Sequence, residues 1–366
     1  MTVRTLDDLQ TPAAIVDVER MRANIARVSR YAREHGLVWR PHVKTHKTPE
    51  LASEQLSAGA AGVTVATLRE AEVMAEVADD ILLAYPPIGK AKLDRLLSLP
   101  ERVRLSVALD SSQVLHDLAD AATAAGRVVG VLVEVDAGMN RVGVQTPADA
   151  AALAAEASAL AGVEYRGILL YPGHIRAHVL EQESALRRLA DTVEGFVQAL
   201  EAIGCSPNVV SGGSTPTVWS SHLVAGVTEI RPGTNIFNDR TTAVIGACDW
   251  DECAYSILAT VVSTTVPGQA VIDAGAKALA REELRGEGGG YGALLDDPSI
   301  LVRAMSEEHG ILDLSGTEWR PEVGDRVRVV PNHVCLSVHL QERLWGVRRD
   351  EVEKEWVVAA RDRGPS

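Results

Sequence analysis

Short apolar runs alternate with helical patterns along the first two thirds of the chain. The run AAIVDV precedes residues 19–36, where one helical face carries Met21, Ile25, Val28 and Tyr31. The alternation recurs through GVTVA, DILLAYP, VRLSVALD, VVGVLVEVD, VEYRGILLYP and NVVSGG. Continuous apolar strands that alternate with helices are typical of a parallel sheet covered by helices. Eight or nine such units in about 230 residues predict an α/β fold, a closed (β/α)8 barrel of the TIM type.

The pattern changes after about residue 245. The stretches SILATVVSTTVPGQAVIDAG, RVRVVPNHVCLSVHLQERLWGV and EWVVAARDR are β-rich and are separated by Gly, Pro and charged turns. They predict a second, mostly antiparallel β domain. The predicted limits are residues 12–245 for the barrel and residues 246–366, together with residues 1–11, for the β domain.

The composition excludes two classes of partner. The chain has 366 residues and a formal net charge of −14, whereas nucleic acids and anionic membranes attract a positive surface. No apolar run reaches the roughly 18–20 residues of a membrane span. The N-terminal stretch lacks the apolar segment of a signal peptide, so we expect a cytoplasmic protein whose four cysteines are free thiols.

Polar side chains end nearly every predicted barrel strand. They include Lys44, Thr67, Tyr85, Asp110, Asp136 with Arg141, Tyr171 with His174, and Arg231. In a barrel of this type the carboxyl ends of the strands form the active-site face. Lys44 lies within RPHVKTHK, residues 40–47, where partial desolvation beside other cations favours the neutral, nucleophilic amine. A surface lysine in a polar loop is the alternative interpretation.

Two glycine-containing turns follow later strands and could bind a phosphate through backbone amides and hydroxyls. The candidate residues are Ser211, Gly213, Ser214 and Thr215 in VVSGGSTPT, and Gly233 and Thr234 in EIRPGTNIF. Arg231 would lie just inside the rim beside them. Ordinary loops and a salt-bridged barrel arginine are the alternatives.

His333 and Cys335 stand two positions apart in PNHVCLSVHL, residues 331–340. If this segment is a strand, the two side chains point to the same face. An imidazole beside a thiolate suits zinc or a similar divalent ion, and two protein ligands leave coordination positions open for catalysis. A buried cysteine beside a surface histidine is the alternative.

Taken in order, these motifs resemble one known family. TPAAIVD, RPHVKTHK, GVTVATLREAE, DAGMNRVGV, VVSGGSTPT, EIRPGTNIF, VIDAG, SEEHGIL and PNHVCLSV run through nearly the whole chain. They resemble the fold-type III pyridoxal-phosphate enzymes, the alanine-racemase-like barrel group. Within that group they are most similar to the metal-dependent branch of D-threonine aldolase and D-serine dehydratase.

The resemblance implies a role for each matched position. Lys44 would carry pyridoxal 5'-phosphate covalently, Arg141 would lie near its phenolic oxygen, Tyr171 beside its ring and Arg231 at its ring nitrogen. The implied phosphate-binding residues are Ser211, Gly213, Ser214, Thr215, Gly233 and Thr234. His333 and Cys335 would hold Zn²⁺ or Mn²⁺ near the cofactor. His174, in the YPGH turn, matches the acid–base histidine of the aldolases.

Several reactions remain open under this resemblance. It favours a lyase that cleaves D-3-hydroxy amino acids to glycine and an aldehyde, because a dehydratase does not need His174. Dehydration of D-serine or D-3-hydroxyaspartate to a 2-oxo acid and ammonia is the alternative, because a His-x-Cys pair is typical of the dehydratases. A racemase or epimerase would need a second base, for which no matching tyrosine motif is found. A non-catalytic cofactor-binding barrel would lack the second domain. The family also implies a homodimer with shared active sites.

Overall fold

The computed structural model describes residues 4–284 and 288–361. It divides into two compact units. The first contains the described residues up to Ala26 and Thr234–Ala359, and the second contains Arg27–Gly233 and the chain from Ala360. These divisions differ from the predicted limits at residues 12 and 245. Residues 1–3, 285–287 and 362–366 of the predicted β domain lie outside the described residues.

The first strand corrects one sequence-based assignment. Strand β1 (Ala13–Asp17), which precedes helix α1 (Val18–Glu34), was expected to open the barrel. It pairs instead with two strands of the first unit, antiparallel to one and parallel to the other. Because Ile15 and Val16 are both fully buried, the apolar run fits a central strand of either sheet.

The second unit is built around a parallel sheet of eight strands within the described residues. The strands are β2 (Val38–Trp39), β3 (Val63–Val65), β4 (Asp80–Leu83), β5 (Arg104–Leu109), β6 (Val129–Glu134), β7 (Val163–Leu169), β8 (Val209–Gly212) and β9 (Glu229–Ile230). Their order is β2-β9-β8-β7-β6-β5-β4-β3. A parallel bridge between His42 and Thr64 joins the segment after β2 to β3, so the two edges of the sheet meet. The predicted barrel is confirmed.

Helices follow most of these strands and cover the sheet. They are α2 (Pro49–Ser57), α3 (Leu68–Met74), α4 (Lys90–Leu97), α5 (Ser112–Ala124), α6 (Pro147–Ala159) and α7 (Glu183–Ala202). The buried stripe of α7 consists of Leu186, Leu189, Val193, Phe196 and Leu200, at the spacing of one helical face. Every residue of β6 is buried, as expected for a strand covered on both sides.

The first unit contains a mostly antiparallel sheet, as predicted. Besides β1, its strands are β10 (Tyr255–Ser263), β11 (Gln269–Ile272), β12 (Gly292–Leu294), β13 (Val302–Met305), β14 (Gly310–Asp313), β15 (Arg326–Pro331), β16 (Arg343–Arg348) and β17 (Glu351–Val357). Strand β10 is central, because it pairs with β1, β11 and β15. Three short helices accompany the sheet: α8 (Arg240–Val244), α9 (Ala276–Leu279) and α10 (Val334–Leu340). No helix within residues 4–284 and 288–361 is long and apolar enough to cross a membrane.

Candidate active site

A cavity of about 580 Å³ opens at the carboxyl ends of the barrel strands. Its wall consists of His42, Lys44, Ala66, Ala84, Tyr85, Pro86, Ile88, Asp110, Glu134, Arg141, Val142, Leu169, Tyr171 and Arg231. Parallel strands bring their carboxyl ends to one face of a barrel, so residues distant in sequence meet there. Four predicted site residues, Lys44, Arg141, Tyr171 and Arg231, therefore share this cavity.

Two cationic side chains of the cavity lie near the Tyr171 ring. Lys44 Nζ is 5.8 Å and Arg141 Cζ is 5.3 Å from the ring centroid. Neither Lys44 nor Arg141 makes a side-chain hydrogen bond or ion pair within the part of the chain that the structure describes. The cavity thus offers an amine and a guanidinium whose charges are available to an anionic ligand.

The RPHVKTHK segment separates its charged residues rather than forming a basic patch. Lys44 lies in a turn after β2, while the Lys47 side chain pairs with the buried carboxylate of Glu70. Burial, together with the charges of Lys44 and Arg231, holds the pKa of His42 well below its ordinary value. Nδ1 of His42 is buried and has no hydrogen-bond partner among the described residues. A neutral imidazole with an unused nitrogen is therefore part of the cavity wall.

The loop after β6, which carries Arg141, is held by two carboxylates. Asp136 Oδ1 accepts hydrogen bonds from the backbone N–H groups of Gly138 (3.0 Å) and Met139 (2.8 Å). Asp110 Oδ2 accepts one from Gly143 N, at 2.8 Å. Partial burial acts to raise the pKa of Asp136, but the backbone donors outweigh burial and hold that pKa below its ordinary value. Fixed acceptors at both ends keep Arg141 at the cavity.

His174 follows β7 in the turn that also contains Tyr171. A β-carbon on Gly173 would overlap the Tyr171 ring, so the turn requires glycine at this position. The His174 side chain is exposed, and its ring lies against Gly138 in the loop that carries Arg141. The His174 imidazole thus packs against the same loop that brings the Arg141 guanidinium to the cavity.

The predicted phosphate-binding residues do not contribute side chains to the cavity wall. The Ser214 hydroxyl lies 3.0 Å from that of Thr217, and both Ser214 and Thr215 are buried. Two glycines in these stretches have a structural reason. Gly213 has φ +78°, and a β-carbon on Gly233 would lie 2.6 Å from the carbonyl oxygen of His42. The conformation of Gly213 and the packing of His42 against Gly233 therefore account for these two glycines.

Arg231 interacts electrostatically with two buried acids, Glu229 and Glu134. These two acids were not identified as site residues from the sequence. Burial lowers the pKa of Arg231 to about 10, against the opposing effects of Glu229 and Glu134. Glu134, at the end of β6, is 6% exposed, and burial raises its pKa against the effects of Arg231 and Arg141. Its only sequence signal is one acid at the end of the apolar run VVGVLVE.

His333 and Cys335 lie in the first unit, and their local structure differs from the expectation. His333 directly precedes α10 and Cys335 is in its first turn, so the pair is at a helix start and not on a strand. The imidazole nevertheless hydrogen-bonds the Cys335 side chain. Burial would lower the pKa of His333, but Cys335, Asp239 and Glu282 raise it to about 9. Residues two apart within a helix do not face each other, so it is the extended backbone of His333, just before α10, that allows the predicted pair to meet.

The surroundings of this pair are polar. His333 Nδ1 lies 3.7 Å from Glu282 Oε2, and Thr234 Oγ1 lies 3.7 Å from Cys335 Sγ. Asp239 Oδ2 accepts the backbone N–H of Val334 at 3.1 Å, which ties the start of α10 to α8. Across residues 4–284 and 288–361, no group of three His, Cys, Asp or Glu side chains has the arrangement of a metal site. His333 and Cys335 remain the candidate ligands of a divalent ion.

Comparisons with known proteins match nearly the whole chain. The family model "Alanine racemase, N-terminal domain" matches residues 16–241, and "Putative serine dehydratase domain" matches residues 254–347. The chain is 32% identical to D-threonine aldolase of Arthrobacter sp., over 96% of this chain and 93% of that protein. It is 35% identical to D-threo-3-hydroxyaspartate dehydratase of Delftia sp. (strain HT23), over 91% of this chain and 93% of that protein.

Solved structures agree with these matches. The crystal structure of D-threonine aldolase from Filomicrobium marinum superposes with a TM-score of 0.91 at 30% identity, covering 99% of this chain and 98% of that one. The D-threo-3-hydroxyaspartate dehydratase superposes with a TM-score of 0.87 at 32% identity, covering 96% of this chain and 98% of that one. Its solved variants include a cysteine-to-alanine mutant in the metal-free form and a mutant of a histidine two positions earlier.

Proposed function

Because the chain belongs to the alanine-racemase-type barrel family, in the group of D-threonine aldolase and D-threo-3-hydroxyaspartate dehydratase, we propose that it cleaves a D-3-hydroxy amino acid to glycine and an aldehyde. The chain is a lyase, as are these relatives. The observation that carries the aldolase choice is His174, whose imidazole lies on the loop that brings Arg141 to the cavity.

Pyridoxal phosphate fits the residues of the cavity. The Lys44 amine and the Arg141 guanidinium have no hydrogen-bond partner within the described chain. Nδ1 of His42 is also without a partner there. Lys44 would hold the cofactor, with Arg141, Tyr171 and Arg231 about its ring. The backbones of Gly213 and Gly233 would approach its phosphate, in the stretches that also contain Ser214, Thr215 and Thr234. When bound, the cofactor accepts the electrons of the bond that breaks at Cα.

A divalent ion fits the donor set at α10. His333 and Cys335 supply one nitrogen and one sulfur ligand in mutual contact, which is the chemistry that Zn²⁺ prefers, and open positions remain for substrate. An ion there would supply Lewis acidity to the 3-hydroxyl oxygen of the substrate.

The side chains of the cavity then have separate duties. Arg141 and Lys44 attract the carboxylate of the substrate into a cavity whose wall contains both apolar and charged side chains. His174 Nε2 takes the proton of the 3-hydroxyl, directly or through one water, as the Cα–Cβ bond breaks. The Tyr171 ring lies near both cations and would pack beside the ring of the cofactor.

Dehydration is the second candidate, and one observation favours it. The His333–Cys335 pair has the same residue types and spacing as the two positions altered in the dehydratase variants. In this reaction the Lys44 amine removes the α-proton, and the 3-hydroxyl leaves as water. A 2-oxo acid and ammonia are the products after hydrolysis.

Product analysis separates the two reactions. Purified protein loaded with pyridoxal phosphate is incubated with D-threonine and either Mn²⁺ or Zn²⁺. Glycine and acetaldehyde in equal amounts support the aldolase, whereas 2-oxobutanoate and ammonia support the dehydratase and overturn the aldolase choice. A homodimer with shared active sites is part of the same proposal, and light scattering of the loaded protein tests its mass.

A further inference from the structure

Arg231 reaches the cavity without a direct carboxylate partner. Its Nη1 donates to the hydroxyl of Ser211 at 2.5 Å, and its Nη2 donates to the carbonyl oxygen of Leu170 at 2.9 Å. No carboxylate within the described residues lies at ion-pair distance from this guanidinium, although the side chain is only 6% exposed. A buried charge with this arrangement depends on its hydrogen-bonding neighbours for orientation.

The hydroxyl of Ser211 connects Arg231 to Glu229. It accepts from Arg231 Nη1 and donates to Glu229 Oε1 at 2.5 Å. A guanidinium only donates and an ionised carboxylate only accepts, so the direction of both hydrogen bonds is determined. Ser211 is fully buried on β8, and Glu229 begins the neighbouring strand β9.

Glu229 is held from its other side by a second arginine. Arg40 Nε donates to Glu229 Oε2 at 2.8 Å, and Arg40 Nη1 donates to Asp80 Oδ1 at 2.7 Å. Asp80 also accepts from Arg104 Nε at 2.9 Å. This alternating chain runs through the barrel to a smaller cavity of about 250 Å³ at the amino ends of the strands. Arg40 therefore restrains the carboxylate from moving toward Arg231.

We propose that Ser211 and Glu229 are positioning residues that hold Arg231 at the cavity, with the Ser211 hydroxyl as a spacer between the two charges. This rests on the proposed function, in which Arg231 contacts the cofactor. Without the hydroxyl, Arg231 Nη1 loses its acceptor, and the guanidinium can turn toward Glu229 to form a direct ion pair. The hydroxyl of Ser211 thus acts inside the barrel and is not available to a phosphate.

The test compares Ser211→Ala with a matched control in the same barrel. Ser106 on β5 is also buried, and its hydroxyl also accepts from an arginine, Arg166 Nη1, at 2.7 Å, but it lines the opposite cavity. Each holoenzyme is characterised by the absorbance of bound pyridoxal phosphate, by thermal midpoint, and by kcat and KM for D-threonine. Ser211→Thr keeps a hydroxyl. Glu229→Gln removes the charge and leaves one accepting oxygen, so it loses the hydrogen bond from either Ser211 or Arg40.

We expect Ser211→Ala to lower kcat by about tenfold to a hundredfold, to change KM by less than about threefold, and to shift the cofactor absorbance. Ser106→Ala should stay within about twofold of the wild type, and Ser211→Thr should recover most of the loss. Glu229→Gln should produce the same spectral shift. It therefore provides an independent test if Ser211→Ala does not fold. A Ser211→Ala protein that matches Ser106→Ala in spectrum and kcat overturns the positioning role alone. A wild-type protein without cofactor absorbance overturns the proposed function and this inference with it.

Discussion

The His174 ring packs on Gly138, with ring atoms Cε1 and Nε2 each 3.1 Å from the point that a β-carbon on Gly138 would occupy. Gly138 also has φ +105°, and its N–H donates to Asp136 Oδ1. Gly138 thus has two structural roles. Its N–H hydrogen-bonds Asp136 within the loop, and its lack of a side chain leaves room for the His174 imidazole. The position of His174 is therefore set from outside its own turn.

Gly138→Ala should displace His174 and reduce turnover. The new β-carbon would force the ring to move by a few tenths of an ångström, and its loop would also bear an unfavourable φ. We expect kcat for D-threonine cleavage to fall about tenfold with little change in KM. Steady-state kinetics of the purified variant measure both.

Gly324→Ala is the matched control for backbone strain. Gly324 has φ +103°, nearly that of Gly138, but a β-carbon there would meet nothing within 4 Å. This variant should lose thermal stability while keeping kcat. Equal losses of kcat in the two variants would contradict the seating of His174 by Gly138.

Much of the barrel and its cavity could be predicted from sequence, because strand ends converge in a parallel barrel. Lys44, Tyr171 and Arg231 follow three different strands and still line one cavity. The sequence does not predict which sheet contains β1. Its apolar run would be buried in either sheet, and hydrophobic periodicity does not identify the partner strand.

The directions of several side chains also could not be predicted from the sequence. Ser211 was assigned to a phosphate site from its place in a Gly/Ser turn, yet it is the last but one residue of β8 and its hydroxyl points to Arg231. His333 and Cys335 were placed on a strand by their spacing of two. Val334 and Val338 are both buried, at the i, i+4 spacing of a helix, which was the available signal for α10.

Lys44→Ala should abolish covalent attachment of pyridoxal phosphate. No other residue of the cavity wall carries a primary amine, so the variant would bind the cofactor only reversibly. Borohydride reduction followed by peptide mass spectrometry should find the cofactor on the Lys44 peptide of the wild type and on none in the variant. Lys92→Ala, which removes an exposed lysine near Tyr85, is the control and should label like the wild type. Undiminished labelling in Lys44→Ala would place the attachment elsewhere.

Chelation should remove turnover while the cofactor stays bound. Lys44 and the proposed metal ligands, His333 and Cys335, belong to different segments, so EDTA should leave the absorbance of pyridoxal phosphate unchanged. Elemental analysis should find about one ion per chain in the wild type and markedly less in His333→Ala. His116→Ala, at a half-buried histidine that contacts Glu156, should leave the metal content unchanged. Full activity in excess EDTA would argue against a catalytic ion.

His46 should make the protein labile to acid. Burial, together with the charge of Lys47, lowers the pKa of His46 to about 4. In the folded chain Nδ1 accepts the Thr48 N–H and Nε2 lies 3.1 Å from Gln55 Oε1. His46 is protonated near pH 6.5 in the unfolded chain but only near pH 4 in the folded chain. Stability therefore falls as pH falls through this window, by about 2 kcal/mol between pH 6.5 and 5.

His46→Gln should flatten this pH dependence while lowering stability at pH 7.5. Urea unfolding at pH 7.5 and at pH 5 measures the difference in each protein, and His42, which is also held neutral, should supply the slope that remains. His309→Gln, at an exposed histidine, should keep the full wild-type slope. If His46→Gln loses as much stability on acidification as His309→Gln, the acid sensitivity arises from other groups, and the buried imidazole of the RPHVKTHK segment is not its source.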